Sequence, residues 1–121
     1  MGDRRATAGR GAEALALALL QQRGWMLLAR NWRCRWGELD LLLTKPGRLL
    51  LVEVKGRRSA GRDLWGSRRL GQGQGLRLRR AFACWLADHP GQALLPVEVV
   101  LALVPLPPAT GGVRWLHLDE L

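Results

Sequence analysis

Two apolar runs, Leu39 to Leu43 and Leu49 to Val54, meet at Pro46-Gly47 and carry Glu38, Asp40, Glu53 and Lys55 among their leucines and valines. An ionised side chain placed in such surroundings loses several kcal/mol of hydration unless it is paired or holds a metal. Strand side chains alternate with a period of two, so Glu38 and Asp40 are expected to share one face of the first run, and Glu53 and Lys55 one face of the second. A hairpin closed at Pro46-Gly47 sets Asp40 opposite Glu53 and Glu38 opposite Lys55. Directly opposed Cβ atoms are roughly 4.5–5.5 Å apart, so two carboxylates there repel unless a proton or a cation lies between them. A hard divalent ion with oxygen ligands resolves that conflict. Pro-Gly suits a type II turn better than the primed turns of tight hairpins, which leaves room for a longer loop or a bulge.

The 121 residues suit one domain with a single core. Nineteen Lys plus Arg against 10 Asp plus Glu give a net charge of +9, and a polyanionic partner follows from that excess. Arginine accounts for 17 of the 19 cations, and lysine stands only at positions 45 and 55. A compact ammonium approaches a phosphoryl oxygen or an activated water in a way a planar guanidinium does not, which singles out Lys55. Cys34 and Cys84 have neither zinc-site nor disulfide-framework spacing, so free thiols in a reducing cytoplasm are expected. Ala14 to Leu20 is too short and too alanine-rich for a membrane span, and no small-residue cleavage site follows it.

Along the chain, a first helix is expected from Thr7 to Arg23, ended by Gly24, with Ala12, Leu15, Ala16, Leu19 and Leu20 as its core stripe. Strands follow over Trp25–Trp32, with a break near Arg30-Asn31, over Trp36–Thr44 and over Arg48–Lys55. Residues 56–75 read as a mobile basic loop carrying Arg57, Arg58, Arg62, Arg68 and Arg69 among glycines and serines. A second amphipathic helix spans Leu76–His89 with Leu78, Phe82, Trp85, Leu86 and His89 on one side. An apolar strand, Val97–Val104, and an edge strand within Gly112–Leu118 complete an α-β-β-β-α-β order with a final β. Glu13 is a lone acid beside the first helix's apolar stripe, with no cation between Gly11 and Gln22 to pair it locally.

The chain resembles the bacterial YraN family, which carries the restriction-endonuclease-like fold of the PD-(D/E)XK superfamily. The resemblance covers nearly the whole length. It rests on Gly11 and Glu13, Gly24-Trp25, Arg30-Asn31-Trp32-Arg33-Cys34, Gly37-Glu38-Leu39-Asp40-Leu41, Val52-Glu53-Val54-Lys55 with Arg57, and Arg79-Arg80-Ala81 before Trp85-Leu86. The family is similar to Holliday-junction resolvases in its helix glutamate, strand aspartate and Glu-x-Lys pair. The resemblance implies an α/β fold, a mixed central sheet flanked by helices, in one domain over residues 1–121.

It also implies metal-dependent endonuclease chemistry on structured or branched DNA. Glu13, Asp40, Glu53 and Lys55 form the implied catalytic set, with Glu38 and Gln74 accessory. Asp40 and Glu53, helped by Glu13 and the Val54 carbonyl, would hold Mg²⁺ or Mn²⁺, and Lys55 would orient water or stabilise the transition state. Arg57, Arg58, Arg68, Arg69, Arg77 and Arg80 would bind phosphates without reading sequence. DNA is expected as partner ahead of RNA, without a membrane, and a homodimer would match two antiparallel strands. Two departures stand out: Gly73-Gln74 replaces the family's usual Lys-Gln pair, and Val97-Glu98-Val99-Val100 replaces Phe-Asp-Val-Val, its acid being expected to pair with an Arg.

Two other readings fit the same residues. One is a non-catalytic nucleic-acid-binding module whose acids only pair with Arg33, Arg35 or Arg57. The other is a scaffold protein using exposed tryptophans among Trp25, Trp32, Trp36 and Trp65 as anchors. Trp36 and Trp65, in glycine-bearing segments beside the proposed site, are the tryptophans most open to base stacking.

Overall fold

A computed structural model describes residues 4–58 and 72–118, with the side chains of residues 4–8 and 72 left undescribed. Helix α1 (Arg4–Gln22) leads into strands β1 (Met26–Cys34), β2 (Gly37–Lys45) and β3 (Arg48–Arg57). Helix α2 (Gln72–Asp88), a short 3-10 turn (Pro90–Gln92), β4 (Val97–Pro105) and β5 (Arg114–His117) follow. The five strands form one mixed sheet in the order β1-β2-β3-β4-β5. Only β3 and β4 run parallel, and α2 lies in the crossover such a pair requires.

The element order and sheet type match the expected α/β architecture, with both helices longer at their starts. Arg4, Arg5 and Ala6 add a turn to α1, and they are good helix formers. Helix α2 starts at Gln72 rather than Leu76 and so takes in Gly73 and Gly75, because tertiary packing overrides a weak propensity: Gly75 is buried. The end of α1 is a Schellman cap in which Gly24 N–H donates to the Gln21 carbonyl and Trp25 N–H to that of Leu20, with Gly24 at φ 93°. The expected basic loop lies mostly outside the described residues, including Arg62, Trp65, Arg68 and Arg69.

The helices cover opposite faces of the sheet. On one, Ala16, Leu17 and Leu20 of α1 pack with Leu41, Leu43, Leu50, Val52, Val100 and Ala102. On the other, Leu78, Ala81, Phe82 and Trp85 of α2 pack with Leu39, Leu42, Leu49 and Leu51. β3 is therefore buried on both sides, which explains why Leu49 to Val52 read as a continuous apolar run. The α1 stripe differs from expectation, since Leu15 is exposed and Leu17 is buried. Leucines and alanines lie all around this helix, so hydrophobicity alone marks no unique face; the buried side is the one that carries Ala12 and Ala16. His89 is exposed, its ring stacked on Trp85 with centroids 3.9 Å apart and its Nδ1 2.8 Å from the Trp85 carbonyl oxygen.

Candidate active site

Strands β2 and β3 separate at the acids. Their ladder runs in the expected register from Lys45–Arg48 to Leu41–Val52, closed by a two-residue turn with Gly47 at φ 79°, and then stops. Beyond it β2 stays with β1 through Cys34–Gly37, and β3 stays with β4 through Arg57–Pro105. The sheet thus forks, with Glu38 and Asp40 on one arm and Glu53 and Lys55 on the other. The expected cross-strand pairing of Asp40 with Glu53 and of Glu38 with Lys55 is replaced by this fork. In an unbroken ladder the Val54 N–H would bond the main chain of β2; here it donates to Oδ2 of Asp40 at 2.9 Å.

The side-chain alternation also breaks at Asp40. Leu41 and Leu43 pack toward α1, so a regular strand would send Leu39 the same way, yet Leu39 packs toward α2. The neighbouring strand breaks in step, for Arg30 pairs with Leu41 and Trp32 with Leu39, while Asn31 and Asp40 are skipped. Asn31 sits at φ 50°, a conformation that Asn adopts more readily than other non-glycine residues. Alternation alone therefore does not set the faces of Glu38 and Asp40. The Arg30-Asn31 interruption read from the sequence was the available sign of this irregularity, although the strand passes through it to Cys34.

A cleft of about 310 Å³ opens at the fork, and Glu13, Glu38, Asp40, Glu53, Lys55 and Gln74 all line it. Gly9 and Glu13 come from α1, Gln74 and Arg77 from α2, so both helices reach the cleft from their N-terminal halves. Arg57 and Arg58 lie beyond it at the end of β3; Arg80 is exposed on α2 outside the lining, and Arg68 and Arg69 fall outside the described residues. Gly37 is pressed against the start of α2. A Cβ there would stand 2.9 Å from the Arg77 carbonyl oxygen, so only glycine permits the approach.

The acids are of two kinds. Glu13 and Glu38 have cationic partners on β1, Arg30 at 3.4 Å and Arg33 at 3.2 Å respectively. The Arg30 partner was invisible to a search for cations on the helix itself. Asp40 and Glu53 make no ion pair among the described residues, and Glu53 is the one charged residue there in the buried class, 7% exposed. Burial raises the Glu53 carboxyl from 4.5 to about 8, reinforced by repulsion from Asp40 and opposed by Lys55. Burial likewise raises Asp40 from 3.8 to about 6, opposed by the Val54 N–H and reinforced by Glu13 and Glu38. At neutral pH the pair therefore holds a proton or calls for a cation.

Among the described residues, no three carboxylate, imidazole or thiol side chains converge as a ready-made metal cluster. The donor set still fits a small hard cation, because Mg²⁺ commonly binds through one or two carboxylates and keeps several waters. Glu98, outside the cleft, pairs with Arg48 at 3.6 Å, as expected of an acid tied to an arginine. Cys34 and Cys84 are free thiols.

Residues 12–102 match the family described as "Uncharacterised protein family UPF0102". The chain belongs to the UPF0102 family, the YraN-like proteins. It is 54% identical over 109 residues to a UPF0102 protein of Prochlorococcus marinus strain MIT 9303, covering 90% of this chain and 86% of that one. A UPF0102 protein of Parasynechococcus marenigrum strain WH8102 is 50% identical over 113 residues, covering 93% and 82%. One of Bordetella avium strain 197N is 44% identical over 118 residues, covering 95% and 75%. The UPF0102 match extends from α1 into β4 and so takes in all four cleft acids together with Lys55. No helix among the described residues of this UPF0102 chain is long and apolar enough to cross a membrane.

Proposed function

We propose that this chain is a metal-dependent endonuclease of the restriction-endonuclease-like superfamily, hydrolysing phosphodiester bonds of structured DNA in the cytoplasm. One observation carries the reading: buried Glu53 and half-buried Asp40 lie on the two arms of a forked sheet, neither in an ion pair with a described residue, and Lys55 shares their cleft. A structural role would have paired these acids, as it has paired Glu98 with Arg48.

Asp40 and Glu53 would hold Mg²⁺ or Mn²⁺, with Glu13 contributing through water. When bound, such an ion would supply Lewis-acid polarisation of the phosphate and a more acidic water. The remaining work belongs to side chains of the cleft. The Val54 N–H holds the Asp40 carboxylate through Oδ2, and Asp40 lines the cleft. Lys55 offers an ammonium to the phosphoryl oxygen, where negative charge grows during attack. Gln74 and Arg77 line the α2 side, where an amide and a guanidinium position the strand by its phosphates. Exposed Arg79 and Arg80 extend the basic surface along α2, consistent with a net charge of +9.

The test is cleavage of labelled single-stranded, duplex, flap and four-way-junction DNA in Mg²⁺ or Mn²⁺, beside Glu53→Ala purified identically. Divalent-dependent cleavage by the wild type that disappears in the variant is expected. Absence of cleavage, or cleavage that persists in Glu53→Ala, overturns the assignment.

A further inference from the structure

We propose that the Trp36 ring, at the lip of the cleft, is a stacking platform for an unpaired base of a DNA strand entering it. The proposal rests on the nuclease reading and names its substrate class: DNA with unpaired nucleotides next to a duplex. Trp36 is 43% exposed and belongs to none of the three hydrophobic clusters formed by the described residues. This large indole stands outside the core at the tip of a tight hairpin. Trp25, by contrast, is buried beneath α1 while also carrying cations over its ring.

Two guanidiniums lie over the Trp36 ring, Arg35 at 4.6 Å and Arg80 at 5.4 Å from its centroid. Arg35 comes from the hairpin and Arg80 from α2, so the aromatic surface and its cations are assembled by two separate elements. Bases stack on an indole in the same way guanidiniums do, and phosphates flank every base at the distance of a long side chain. An incoming nucleotide can therefore take over ring surface while Arg35 and Arg80 turn to its phosphates. The assembly also has a fixed relation to the cleft. Gly37, the next residue, lines the cleft and is packed against the Arg77 backbone, one helical turn before Arg80. A base held on Trp36 thus places its own strand at the entrance of the cleft that contains Asp40 and Glu53.

A blunt duplex offers no free base face to the indole, whereas a flap, a frayed junction arm or a single strand does. Stacking on one aromatic residue accounts for about tenfold in affinity. The experiment measures equilibrium binding by fluorescence anisotropy in EDTA, with labelled flap DNA and a blunt duplex of equal length. Wild type, Trp36→Ala and Trp36→Phe are compared after circular dichroism has established equal folding. Trp36→Ala is expected to bind the flap about tenfold more weakly, to change less than twofold on the duplex, and Trp36→Phe to retain most of the affinity. An equal loss on both substrates, or no loss on either, overturns the platform. Because hydrolysis is not measured, the result is independent of whether Glu53 supports cleavage. A wild-type chain that binds neither DNA overturns the platform and the DNA reading together.

Discussion

The Val54 N–H donates to Oδ2 of Asp40 at 2.9 Å, so a carboxylate from one strand stands where a main-chain acceptor would have continued the β2–β3 ladder. The same bond ends the ladder, opens the fork and orients an acid into the cleft. Its two consequences, one for stability and one for charge, separate by substitution.

Asp40→Asn keeps an acceptor oxygen for Val54 while removing the charge that opposes ionisation of Glu53. Asp40→Ala removes both and leaves a half-buried donor without a partner. The Asn variant is expected to exceed the Ala variant by about 1–3 kcal/mol in unfolding free energy, measured in urea at pH 8. Equal stabilities would mean that water replaces the acceptor and that the bond is not what parts the strands.

Stability without metal should depend on pH in a direction set by the raised carboxyls. Both groups bind protons more tightly folded than unfolded, Asp40 to about 6 and Glu53 to about 8. Between the ordinary carboxylate range and about pH 8, the folded state therefore holds more protons, and stability falls as pH rises. The penalty is absent at low pH, where both states are protonated, and complete above about pH 8. It is on the order of a few kcal/mol. Glu53→Gln should flatten most of this slope, and Mg²⁺ should raise the wild-type melting temperature more at pH 8 than at pH 5. A slope that survives in Glu53→Gln would assign it elsewhere.

Gly37→Ala should loosen the joint between β2 and α2. The added methyl meets the Arg77 carbonyl oxygen at 2.9 Å and the Arg77 carbonyl carbon and Cβ at 3.3 Å, and two of those atoms are backbone that cannot rotate away. A loss of about 1–3 kcal/mol is expected from urea unfolding. Gly91→Ala, where no atom lies within 4 Å of the added Cβ, is the matched control and should be near neutral. Equal effects from the two changes would show that chain entropy, not the close approach, dominates.

Much of the fold was legible because its elements are written in local periodicities. The Gly24 cap, the Pro46-Gly47 turn and the order of helices and strands all follow from residues close in sequence. The helix faces were less legible. In α1, Ala and Leu surround the axis, and the choice of Leu17 over Leu15 depends on the shape of the sheet beneath. In α2, glycines of low helix propensity are carried into the first turn by packing that no local rule contains.

The sequence by itself determined which acids are costly, because Asp40 and Glu53 stand among leucines and valines that any compact fold must bury. It also pointed to the β2–β3 register, which the structure bears out from Lys45–Arg48 to Leu41–Val52. Only the tertiary structure decided where that register ends, which acids are neutralised by Arg30 and Arg33, and which are left to one another. Those outcomes depend on β1 and β4, which stay paired with β2 and β3 past the end of the β2–β3 ladder and bring in Arg30 and Arg33, and such long-range pairing leaves no trace in local periodicity.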